Sequence, residues 1–315
     1  MRILWLPATL ILLVVPDLLR AESPEPGTIF VADSGSDAIV RVADGDGGRQ
    51  IVSSAGVGKG QEFVSPRALA WSNRGTLYLV DPALDAVLEI EPDTGDRRVV
   101  SSPSRGSGTL FSFPVDIAVD AAGRILVVDL ADVALFRVDP KTGARQVIAA
   151  RSVGSEAQIF SPHGLAVLGD GSILVVGVAS ANVLRIDPES GDGRLLTGKG
   201  VGSGPPLLTP RDVAVDARGH IYVSDDGHEG IVQVDPKSGD RRIVSAAGVG
   251  SGPEFSRPGH LAVAPDGTLI VADEGLDAIV AVEPDSGRRT ILSSNSVGKG
   301  LLIGSLRGVA VVPGR

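Results

Sequence analysis

Seven charged or imidazole-bearing residues sit at one recurring place in this chain. Arg67, Asp116, His163, Arg211, Asp212 and His260 each lie one or two residues after a proline, and Arg307 follows Leu306 in the same position. They belong to the pairs Arg67-Ala68, Val115-Asp116, His163-Gly164, Arg211-Asp212, Gly259-His260 and Arg307-Gly308, each 48 residues after the last. Converging on one polar mouth, Asp116, His163, Asp212 and His260 would offer ligands to a divalent metal such as Ca or Zn. The arginines beside them would hold a carboxylate through paired hydrogen bonds. A salt-bridged collar that plugs a channel would use the same residues.

A second feature also resembles a chemical device. "GVGSGPEF" at Gly248 to Phe255 is glycine-rich and holds a serine, as a phosphate-binding loop does. A phosphate loop opens a helix, whose N-terminus binds the anion. This run leads into a strand and lacks the Gly-Lys-Ser/Thr ending. It also recurs. Gly58, Gly106, Gly154, Gly202, Gly250 and Gly298 form one column of the repeat, and Gly60, Gly108, Gly204, Gly252 and Gly300 another, where Glu156 is the exception. Repetition of one loop encodes one backbone conformation with positive φ.

The elements that must position these residues follow from that repeat. "GTIFVAD", "GTLYLVD", "GRILVVD", "GSILVVG", "GHIYVSD" and "GTLIVAD" begin at Gly27, Gly75, Gly123, Gly171, Gly219 and Gly267, 48 residues apart without insertion. Each copy reads as four short strands with a Pro/Gly hairpin such as "DPKTGARQ" before the outermost. The strand before each copy opens on the pairs above, as in "PRDVAV". Six such units in a ring make an all-β, six-bladed propeller with four-stranded blades. The first copy begins on its blade's second strand, so the C-terminal "RGVAVV", from Arg307, should supply that blade's innermost strand and close the ring. Asp33, Asp81, Asp129, Asp225 and Asp273 end the second strands and read as turn builders. Gly177 breaks that column and would leave room there.

The pattern Pro-x-x-hydrophobic-Ala-Val, Gly-x-hydrophobic-x-Val-x-Asp and Val-Asp-Pro resembles the NHL-repeat six-bladed propellers. It is also similar to the wider group of SMP-30-type lactonases, streptogramin lyases and peptidyl-amidoglycolate lyases. The resemblance runs from Gly27 to Arg315 and implies that the mouth face hosts the site. In the amidating lyases of this fold, zinc histidines directly follow the proline in three alternating blades. His163 occupies such a position here, whereas His260 is displaced by one residue and Arg67 replaces the third. The resemblance implies a ligand- or protein-binding module at the mouth, or a metal-dependent lyase or lactonase.

Composition limits the alternatives. The chain has 315 residues, no cysteine and a net charge of -9. Thiolate chemistry is excluded, and nucleic-acid binding, which depends on Lys and Arg at phosphates, is disfavoured. Arg2 followed by the apolar stretch Ile3 to Val15 reads as a signal peptide over 1–21, with a short linker over 22–26 and the propeller over 27–315. That stretch is shorter than the roughly 20 residues of a membrane span. The expected protein is exported, periplasmic or extracellular, and monomeric, with a small anionic ligand or a protein as partner and no membrane span after cleavage.

Overall fold

A computed structural model describes residues 24–43, 45–153, 157–158 and 160–314. The signal peptide expected over 1–21 lies outside the described residues. Six antiparallel sheets form the ring. The one helical element among the described residues is a 3-10 turn, Asp226–His228. No helix of the described residues is long and apolar enough to cross a membrane.

Blade 1 is closed as the repeat predicts. Its innermost strand is the C-terminal Leu306–Val311, which pairs antiparallel with Ile29–Asp33. The amide of Gly27 donates to the carbonyl of Val312 at 2.8 Å and that of Val312 to Thr28 at 2.9 Å. The inner strands of blades 2 to 6 are Ala68–Trp71, Pro114–Val119, Pro162–Val167, Pro210–Val215 and Pro258–Val263. Each touches its two neighbours around the channel. Blade 3 carries two extra short strands, Ser152–Val153 and Ala157–Gln158, in the connection to blade 4.

The second strands are buried at every residue because their two faces meet different neighbours. Phe30 and Ile39 of blade 1, for example, pack with Leu77, Leu79 and Leu88 of blade 2.

A buried arginine locks the outer part of five of the six seams. Arg97 of blade 2 reaches into the last loop of blade 1. Its Nη1 donates to Ser53 Oγ at 2.7 Å and to the carbonyls of Ser54 and Val57 at 2.8 Å, and its Nε donates to Gln61 O at 2.7 Å. Phe63 lies 5.2 Å below the guanidinium. Arg49, Arg145, Arg241 and Arg289 repeat the arrangement. Between blades 3 and 4 both partners are absent: Gly193 stands in the arginine column and Ala149 in the hydroxyl column.

The glycine column serves this lock. Gly58 has φ +78°, and a Cβ there would lie 1.9 Å from the carbonyl oxygen of Gly95 in the next blade. Gly106, Gly202, Gly250 and Gly298 have the same positive φ, while Gly154 lies outside the described residues. The loop is therefore a blade connector, as its repetition predicts.

Deleting residues 307–315 removes the inner strand of blade 1 and bares the Ile29–Asp33 edge. The truncated chain is expected to melt lower and to elute as larger species in size-exclusion chromatography. Unchanged melting and elution would mean that this strand does not hold the ring closed.

Candidate functional site

The mouth is built where second strands end and inner strands begin. Asp81 closes its strand and accepts three amides: Val64 at 2.8 Å, Ser65 at 3.1 Å and Ala83 at 3.1 Å. It thus fixes both its own turn and the loop that delivers Arg67. Asp225 and Asp273 do the same for the loops before Arg211 and Gly259. At Gly177 the room expected from the missing side chain is already filled. A Cβ there would lie 2.2 Å from Ser180 Oγ and 2.7 Å from Asn182 Oδ1.

The six residues that directly follow the proline column all line one cavity. Arg67, Val115, His163, Arg211, Gly259 and Arg307 form its wall, joined by Arg257, Glu274 and His260. It is a small well of about 60 Å³ that opens to solvent. Arg211 pairs with Asp226 at 2.7 Å, and Arg307 with Glu274 at 3.0 Å. Arg257 reaches the same Glu274 at 4.0 Å. Arg67 has no carboxylate within pairing distance among the described residues; its Nε donates to Val115 O at 3.2 Å. Burial, followed by the nearby Arg307 charge, lowers its pKa from the ordinary arginine value. His163 points its Nδ1 at Ser161 O, 3.3 Å away. Burial first, then Arg67 and Arg211, push its pKa down to about 4, so it is neutral at pH 7.

Arg257 and Glu274 were not among the residues expected from the sequence. The signal lay in columns just outside the compared pair. The residue after the strand-ending Asp is acidic only at Asp226 and Glu274, the two acids that pair with mouth arginines.

Asp116, Asp212 and His260 lie deeper, as a floor. Both aspartates are buried. Asp116 accepts the amides of Ile117 at 2.8 Å and Leu165 at 2.6 Å, and so ties blade 3 to blade 4. Asp212 accepts Val213 at 2.7 Å and Leu261 at 2.8 Å, tying blade 5 to blade 6. His260 extends its Nδ1 to 3.5 Å from Asp212 Oδ2 and 3.9 Å from Asp116 Oδ1. Blades 3 and 6 stand opposite in the ring, so this contact spans the channel.

The group could hold a metal ion, since one ligand atom from each residue lies within 4.8 Å of the others. Tetrahedral zinc with bonds of about 2.1 Å sets its ligands roughly 3.4 Å apart, near the 3.5 and 3.9 Å from His260 Nδ1 to the two carboxylates. His163, expected as a fourth ligand, is not in this group; its side chain belongs to the cavity wall. The four carboxylate oxygens each already accept a backbone amide, so the same residues also form the collar that plugs the channel.

Burial, then the neighbouring Asp212 charge, pushes the Asp116 pKa up to about 8, against the pull of His260 and the two amides. Burial opposes charging of His260, but Asp212 and Asp116 outweigh it and raise its pKa.

No family model matches the chain, and no curated protein matches it. Solved structures do. The chain is similar to a chain of a nidogen/laminin complex, at 13% identity and a TM-score of 0.69 over 90% of this chain and 98% of that one. It is similar to a streptogramin B lyase, at 15% identity and a TM-score of 0.57 over 80% and 75%. A virginiamycin B lyase from Staphylococcus aureus matches at 15% and 0.54 over 73% and 70%. At these identities the likeness is one of fold alone, and it extends to a protein of a protein–protein complex and to lyases.

The raised Asp116 has a consequence for stability. Its folded pKa exceeds the ordinary 3.8, so the folded chain keeps a proton that the unfolded chain has released. The associated stabilisation is present at low pH and is lost as pH rises towards 8. His260 acts in the same direction. His163, with its lowered pKa, costs stability only as pH falls below its ordinary 6.5. Between about pH 6.5 and 8 stability, and with it the melting temperature, is therefore expected to fall, by up to about 1.4 kcal/mol per pH unit for each of these two groups. Asp116→Asn should melt lower throughout but lose the Asp116 share of this slope in thermal unfolding across that range. An unchanged slope would show that Asp116 is ionised throughout.

Proposed function

We propose that this chain is an exported binding module whose channel mouth takes carboxylates. The observation that carries the reading is Arg67. Four arginines line the cavity with a single lining carboxylate, Glu274, and Arg67 is left unpaired in a half-buried place. An incoming carboxylate supplies the missing partner. It gains from a concave wall that focuses the local positive field, although the whole chain is negative. Neutral His163, whose Nδ1–H is directed at Ser161 O, lines the well without adding charge.

The test is calorimetric titration with acetate, succinate and phosphate at low and physiological salt. Carboxylates are expected to bind, and Arg67→Ala to weaken them about tenfold or more, the loss of about 1.5–3 kcal/mol typical of a charge-assisted contact. Absence of any anion binding at millimolar concentration would leave the arginines as a structural collar only.

The floor supports a second reading, a metal-dependent lyase or lactonase. Asp116, Asp212 and His260 provide three ligands, the number a catalytic zinc site uses with one position open. Calcium needs six to eight oxygens and fits two carboxylates poorly. Under this reading the purified chain carries about one metal per chain by elemental analysis, and a chelator lowers its melting temperature. His260→Ala should abolish both effects. Metal-free protein that is indifferent to chelator and to added zinc would reject it.

A further inference from the structure

The loops that lead to the carboxylate well carry exposed apolar side chains. Nine large hydrophobic residues are exposed among those described, and eight of them lie on the loops and turns of the mouth face; Val147, on an outer strand, is the exception. Val64, Phe160 and Leu208 are 54%, 49% and 48% exposed. Each lies three residues before a wall residue: Arg67, His163 and Arg211 respectively. Phe113, 40% exposed, precedes Val115 by two and occupies the repeat column of Arg257, itself part of the wall. Four consecutive blades, 2 to 5, thus present an exposed apolar side chain on the loop that leads into the polar well.

We infer that the mouth face docks a loop of a partner protein, with an internal Asp or Glu side chain inserted among the arginines and apolar neighbours packed on Val64, Phe113, Phe160 and Leu208. The inference rests on the carboxylate reading above and names its ligand. Charge complementarity places the acid at the centre. The distribution of the rim selects the class of partner. A free small acid needs only the well and leaves the rim in water. A fatty acid has one tail and can cover one side only. A peptide loop carries side chains that splay to several sides of a central carboxylate, and so can cover apolar groups on four blades. A polar, charged centre ringed by apolar contacts that exclude water is also how buried ion pairs at protein interfaces gain strength.

The experiment compares ligands on the full chain by calorimetry. The probes are acetyl-Leu-Phe-Asp-Leu-Leu-amide, the same peptide with serine for every apolar residue, succinate and decanoate. The apolar-flanked peptide is expected to bind at least about tenfold tighter than the serine version, the gain from burying one large apolar side chain. The double variant Phe113→Ser, Leu208→Ser, shown to be folded by its melting curve, should erase that difference and leave succinate binding intact. Equal binding of the two peptides, or no effect of the double variant, would overturn the inference while the carboxylate reading stands. Decanoate binding as tightly as the apolar peptide would overturn it in favour of a lipid-like acid. If no carboxylate binds at all, both readings fall together.

Discussion

A guanidinium buried without a carboxylate is the interaction on which this ring depends. At five of its six seams an arginine from one blade fills the last loop of the blade before. Its donors end on a hydroxyl and on backbone carbonyls. The hydroxyl is used twice: Ser53 accepts from Arg97 and donates to Gly95 O at 2.6 Å. Burial lowers the pKa of Arg97, Arg145 and Arg289 from the ordinary arginine value, because it takes their charge out of water. Charged hydrogen bonds of this kind contribute about 1.5–3 kcal/mol each, and more is lost if one partner is left behind. The glycine columns follow from the same lock. The loop must wrap the arginine closely enough that a Cβ at Gly60 would lie 2.0 Å from Arg97 O.

The exception obeys the same physics. Between blades 3 and 4 the arginine and its hydroxyl partner are lost together, as Gly193 and Ala149. Losing one would strand a buried polar group; losing both leaves no orphan. The same seam is tied at its inner edge by the Asp116 carboxylate, which accepts the Leu165 amide. A residue of the candidate site is therefore also a residue of the frame. That double use explains why the floor can be read both as a metal group and as a collar.

The architecture was legible because the repeat is strict. A 48-residue step, a Pro/Gly hairpin and an orphan C-terminal strand determine a closed ring without any contact being known. The wall was legible too, since every member of one column lines the cavity. The division into wall and floor was not. Consecutive residues of a regular strand face opposite ways, yet Arg211 lines the wall while Asp212 reaches the floor of the same channel. The pairing register slips at this point, between Pro210 and Asp212, and likewise between Pro114 and Asp116. Such a bulge re-aims a side chain, and nothing in "PRDVAV" announces it. His163 was expected beside the aspartates for the same reason. Its neighbour in the floor column is Gly164, so blade 4 sends only a wall residue to the channel.

Space in the closed ring then limits what the floor can contain. In ring order the second column is Gly308, Ala68, Asp116, Gly164, Asp212 and His260. The larger side chains of Asp116, Asp212 and His260 share the column with glycine and alanine. The small residues are required by that sharing. A Cβ at Gly164 would lie 2.4 Å from both Cα and Oδ1 of Asp212, and one at Gly308 would lie 2.6 Å from Arg67 O. The channel therefore admits Asp116, Asp212 and His260 only because the positions beside them are nearly empty. Enlarging Gly164 would displace Asp212 from the Leu261 amide and, through it, His260. The wall has no such constraint, because it opens to solvent. A repeat protein of this kind can exchange wall residues one blade at a time, whereas its floor must change in compensating sets. The same six-fold frame can thus carry unrelated activities at its mouth.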